Sequence, residues 1–226
     1  MASSRRQSRR FIPAELVVAL AVLAILVFLA VPFVSGMLLK GRLINSVSKT
    51  RFIHMAAMSM AADGVADKDP GLGWPGDLKA NGRIATLSDY VSLLVRRGYF
   101  KPDELHSFFS DSGYKTYRGT LTSGSDGVLS PAFTDEYCAF KVFLVKDKDP
   151  SNTVFLETKN YAYDKDLSAP KAKPFGVNGF VVSRKGGDVS FYKQDQAHSL
   201  REIGDLPGGG TVESAANCLN PEPVAP

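Results

Sequence analysis

The side chains able to do chemistry are few and scattered. His54, His106 and His198 stand alone, each better suited to a surface or helix position than to a catalytic base. No G-x-S-x-G, H-E-x-x-H or phosphate-loop pattern occurs, and Gly208-Gly209-Gly210-Thr211 lacks the lysine and preceding strand of such a loop. Asp147/Asp149 and Asp164/Asp166 are weak calcium candidates, able to turn carboxylates toward a hard cation but without EF-hand spacing. The two cysteines, Cys138 and Cys218, have no Cys or His at metal-ligand spacing. Outside the cytoplasm they could close a long loop as a disulfide, contributing on the order of 4 kcal/mol, or they stay as two partly buried thiols. No catalytic residue is nominated, and the expectation is a protein that is not an enzyme.

Glu15 carries more information. It stands at the head of residues 16–34, LVVALAVLAILVFLAVPFV, which contain no charged side chain. As a helix at about 1.5 Å per residue this run approaches the roughly 30 Å of a bilayer core. Arg5, Arg6, Arg9 and Arg10 precede it, favouring a cytoplasmic N-terminus; Lys40, Arg42, Lys49 and Arg51 follow. A cleaved secretory signal would need a shorter apolar core and a small-residue cleavage site, so a retained single-pass anchor is expected. At that position Glu15 marks the interface or has a partner, because an unpaired carboxylate in an apolar core is costly.

The formal charge of +4 belongs to the first ten residues: without their four arginines, the 27 basic residues fall to the same 23 as the acidic ones. A basic nucleic-acid-binding surface is therefore not expected, and no nucleic-acid partner is indicated.

The stretch Arg9-Arg10-Phe11-Ile12-Pro13-Ala14-Glu15, leading into the apolar run, resembles the N-terminal signature of type IV pilins and type II secretion pseudopilins. With Phe11 as first mature residue, Glu15 is fifth and Pro32 twenty-second, the family spacing. Arg10 stands where such leaders usually end in Gly, and Pro13 where a small polar or aliphatic residue is common. The resemblance implies cleavage between Arg10 and Phe11 by a prepilin peptidase and N-methylation of Phe11. It also implies pairing of Glu15 with a neighbour's N-terminal amine, and a helix loosened at Pro32 during assembly. Pro32 on its own reads equally as an ordinary kink. The implied partners are copies of the chain or other pilin-like subunits, an inner-membrane assembly platform, the peptidase and lipid. Related major pseudopilins bind calcium in β-region loops, which gives the aspartate pairs their interest; no other cofactor is implied.

The elements that must position these residues follow in order. Helical spacing continues from 35 to 62 through Leu43, Val47, Thr50, Ile53, Ala57 and Ala61, with Asp63-Gly64 as a stop. Residues 65–77 read as a loop holding Trp74 against the core, 86–97 as an amphipathic helix capped by Ser88, and Pro102 as the start of a helical turn. Residues 110–130 read as a surface loop. Runs at 137–145, 153–158, 179–183 and 188–192, separated by turn sequences, predict about four antiparallel strands. The tail from 207 reads as irregular.

The expected fold is α+β: a long N-terminal transmembrane and stem helix, then a pilin-like head with a small antiparallel sheet. The expected divisions are a basic leader at 1–10, the helix at 11–62 and an exported head at 63–226. Function is expected to be that of a filament or pseudopilus subunit in the inner membrane, N-terminus cytoplasmic and head in the periplasm or at the cell surface. The alternative is an uncleaved single-pass protein with an exported ligand-binding domain.

Overall fold

The computed structural model describes the backbone of residues 13–105, 108, 122–124, 129–130, 138–167 and 174–221. Helix α1 (Pro13–Asp67) is followed by α2 (Pro75–Ala80), α3 (Leu87–Arg96) and a 3-10 turn at Pro102–Leu105. A two-stranded ribbon, β1 (Thr122–Ser123) with β2 (Leu129–Ser130), precedes the main sheet. That sheet is an antiparallel meander of β3 (Phe140–Val142), β4 (Val154–Thr158), β5 (Phe180–Arg184) and β6 (Val189–Tyr192), in that order. A short helix α4 (Leu200–Ile203) follows. The α+β class and the four antiparallel strands thus agree with the sequence pattern.

The transmembrane helix does not. Among the described residues, no helix is long and apolar enough to cross a membrane.

The chain forms two compact units, 1–41 and 42–226, whose boundary falls inside α1. In the second unit, α1 contributes Ile53, Ala57 and Met60 to a core shared with Trp74, Leu78, Tyr90, Leu94 and Phe155. The spacing of three and four residues puts these α1 side chains on one helix face. A second cluster of Phe143, Tyr161, Phe180, Val182, Ile203 and Leu206 completes the interior. Every residue of β4 is buried. A strand covered on both faces reads as a continuous apolar run, and residues 154–156 are Val-Phe-Leu.

Helix ends depart from expectation for identifiable reasons. Gly64 lies inside α1, where an added Cβ would stand 2.6 Å from the Leu72 carbonyl oxygen; the glycine admits the next loop instead of ending the helix. The stop comes at Lys68, whose φ of 54° is left-handed, and Asp69 N–H closes the end on Gly64 O at 3.1 Å. The cap of α3 is Thr86, not Ser88. Its Oγ1 accepts from Asp89 N–H at 3.2 Å while Asp89 Oδ2 accepts from Thr86 N–H at 2.8 Å, a reciprocal capping box. Residues 75–80, expected as loop and following segment, form α2, with Trp74 as N-cap residue and Pro75 in the first helical position.

The Gly/Pro-rich tail is held closely. Phe143 bridges Cys218, Leu219 N–H donates to Val142 O at 2.8 Å, and the Asn220 side chain accepts from Val142 N–H at 2.9 Å and donates to Phe140 O at 3.0 Å. Those bonds lie along the side of β3 away from β4.

Candidate functional site

Two features stand apart from ordinary packing. The first is the bare apolar surface of α1. Leu26, Val27, Phe28 and Leu29 are consecutive, point around the whole helix, and are each more than half exposed; Phe28 reaches 81%. Leu16, Val17 and Val18 repeat the pattern one turn after Pro13. A helix apolar all round belongs in an interior, and exposed apolar area of this extent marks an interaction surface. Glu15 and Pro32 are placed by their backbone within α1, which passes through Pro32 without interruption. Arg10 and Phe11 lie outside the described residues.

The second feature is a buried charged cluster in the head. Lys141 on β3 and Glu157 on β4 face each other directly in the ladder, and both side chains have no exposed surface. They form an ion pair. Glu213, from the segment before the strapped tail, brings Oε2 to 2.5 Å from Lys141 Nζ, and the Tyr161 carbonyl accepts from the same ammonium at 2.5 Å. Burial pushes the Glu157 carboxyl up to about 8, against the pull of Lys141 and with the help of Glu213. Burial also works to remove the charge on Lys141, but the two carboxylates outweigh it and hold its pKa above the usual lysine value. Two acids sharing one base in a dry site retain a proton between them. Sequence reasoning missed this cluster because Lys141 is the one charge in an otherwise apolar run, residues 139–145, and nothing local to it shows what pairs with that charge. Its second partner comes from some seventy residues further on.

The remaining candidates fall as follows. Cys138 and Cys218 are buried thiols and not a disulfide. Cys138 Sγ donates to Phe140 O at 3.1 Å, and burial raises the Cys218 thiol well above its usual pKa. Asp149 Oδ2 accepts from Lys146 N–H at 2.7 Å, and Asp147 N–H donates to Asp77 Oδ2 at 2.8 Å. The cation over that turn is the chain's own: Lys185 Nζ donates to the carbonyls of Asp147 and Asp149, the latter at 2.7 Å. Asp164 and Asp166 flank His198, with Oδ1 atoms 2.9 Å from Nδ1 and 3.1 Å from Nε2. Those hydrogen bonds raise the His198 pKa. No group of three metal-ligating side chains occurs among the described residues. His54 is buried, its Nε2 2.8 Å from Lys185 O and its ring packed near Trp74 and Phe155. His106 lies outside the described residues.

Compared with protein-family models, with curated proteins and with solved structures, the chain finds no match.

Proposed function

We propose that the chain is a structural subunit of a type IV pilus-like filament or type II secretion pseudopilus, assembled through its N-terminal helix. The observation that carries this reading is the apolar length of α1 exposed on all sides. Each buried Å² of such surface is worth about 25 cal/mol, so like helices brought side by side gain several kcal/mol per contact turn. The spacing of Phe11, Glu15 and Pro32 supports the same reading. The leader at 1–10 is removed before Phe11 by a prepilin peptidase at the inner membrane. The new amine then pairs with Glu15 of a neighbouring copy, offsetting the cost of a carboxylate among apolar helices. An assembly platform there adds subunits, and the heads lie on the exported side.

Glu15→Ala is expected to leave a folded head and a correctly processed N-terminus while filament yield falls at least tenfold. Filament yield is read by shearing and sedimentation, and the N-terminus by intact mass. A native chain still beginning at residue 1 or 2, or wild-type yield from Glu15→Ala, removes this reading.

A further inference from the structure

Lys141 presents an unusual chemical situation. Its ammonium donates to the Tyr161 carbonyl and to Glu213 and lies in direct contact with the Glu157 carboxyl, in a space almost closed to water. An amine nitrogen, two carboxyl carbons one bond beyond its contact atoms, and a group that retains a proton are held together at hydrogen-bond range. Confinement of this kind raises the effective concentration of reacting groups far above anything attainable in solution. The roles of the two acids differ. Glu157 is sealed on β4 with no exposure and holds its proton up to about pH 8. Glu213 keeps a slight opening to solvent, its side chain 8% exposed, so a molecule of water released at its carboxyl carbon has a way out.

We propose that Lys141 and Glu213 condense to form an isopeptide bond, with Glu157 as the catalytic residue that moves the protons. The Lys141 ammonium first passes a proton along its hydrogen bond to the Glu213 carboxylate, leaving a neutral amine and a carboxylic acid. Nζ then attacks Cδ of Glu213, and the carbonyl electron pair moves onto oxygen. Glu157 donates its proton to the departing hydroxyl and takes one from the nitrogen. An N–C bond forms, a C–O bond breaks and one water leaves. Glu157 ends protonated, as it began. No oxidant, cofactor or activated intermediate is required, and exclusion of water disfavours the reverse reaction. The Tyr161 carbonyl orients the nitrogen by accepting its remaining N–H. The product ties the segment that carries Glu213 covalently to β3, beside the place where Phe143 and Cys218 already bridge. This inference is independent of the filament reading.

The test is the intact mass of the purified full chain after denaturation, followed by tryptic mapping. The expected mass is lower than that of the same processed sequence by one water, with no tryptic cut at Lys141 and its peptide joined to the one containing Glu213. A full sequence mass with Lys141 and Glu213 in separate peptides overturns the proposal, as does a water loss mapped to any other pair. Glu157→Gln keeps the volume and a hydrogen-bonding group but removes the acid. It is expected to give folded protein by circular dichroism at the full, unlinked mass, and a linked Glu157→Gln chain overturns the role given to Glu157. Lys141→Arg is expected to lose the link, and a water loss that persists in it overturns the assignment of the nucleophile. Since the wild-type mass decides the main point, a variant that fails to fold does not leave it open.

Discussion

Replacing His54 by glutamine separates a titration from a packing contact. His54 lies on the buried face of α1, with its ring centroid 5.9 Å from that of Trp74 and 5.8 Å from that of Phe155. Burial lowers its pKa below 6.5, and the hydrogen bond to the Lys185 carbonyl only partly opposes this. The native imidazole is therefore neutral, with the proton on Nε2 donated to Lys185 O. Below pH 6.5 the unfolded chain takes up a proton that the folded chain refuses. The stabilisation is thus complete above 6.5 and is lost as pH falls toward the folded pKa, with a limiting slope of about 1.4 kcal/mol per pH unit. For a unit of this size 1 kcal/mol corresponds to about 2–4 °C in Tm, so each pH unit costs roughly 3–6 °C. In His54→Gln the amide nitrogen reaches the same carbonyl but does not titrate. At pH 7.5 the variant is expected to be less stable by about 1–2 kcal/mol, for the lost ring contacts. Between pH 7.5 and 5.5 that deficit shrinks by up to about 1.4 kcal/mol as the wild type alone pays its proton cost. Thermal unfolding of both chains at pH 7.5, 6.5 and 5.5, followed by near-ultraviolet circular dichroism, reads the difference. Parallel curves over that range would refute the neutral buried imidazole.

Three substitutions test how α2 docks and how α3 is capped. Gly76 N–H donates to Val145 O at 2.8 Å, and a Cβ on Gly76 would stand 2.2 Å from the Leu144 carbonyl oxygen. Gly76→Ala must lift α2 from the sheet and is expected to cost about 2–3 kcal/mol in chemical denaturation; a loss under 0.5 kcal/mol contradicts that close approach. Thr86→Ala removes the α3 capping box and should cost about 1 kcal/mol, whereas Ser88→Ala should be neutral within about 0.5 kcal/mol; the opposite order would restore Ser88 as the cap.

The parts of the fold legible in sequence were those carried by local patterns. Four β-rich runs between turn sequences gave four strands, and spacing of three and four gave the α1 face that holds Ile53 and Ala57. The ends were less legible because their chemistry is tertiary. Gly64 reads as a helix stop, yet its missing side chain serves the approach of Leu72, and a lysine takes the left-handed position that glycine favours. The run 137–145 reads as one long strand, but only Phe140–Val142 forms the ladder, and Leu144 N–H turns to Asn217 O at 2.8 Å. The tail hid its order behind a Gly/Pro-rich composition, because Asn217 and Asn220 hold it by side-chain bonds that no periodicity announces. Of the candidate site residues, Glu15 and Pro32 rest on spacing alone. The cluster of Lys141, Glu157 and Glu213 depends on a pairing across some seventy residues that spacing cannot reveal.

The strap along β3 also sets an order of events. A chain emerging residue by residue makes β3 early and then β4, β5 and β6, each strand pairing with the one just before it. Through that whole interval the other side of β3 presents unsatisfied backbone groups, the kind of margin that invites pairing with a stranger. Only when residues 217–220 arrive is the margin closed, across a loop whose closure entropy grows with its length. The outer margin of the sheet is therefore covered only after all four strands can have paired, and the form most open to a stranger is one with β3–β6 in place and residues 217–220 not yet docked.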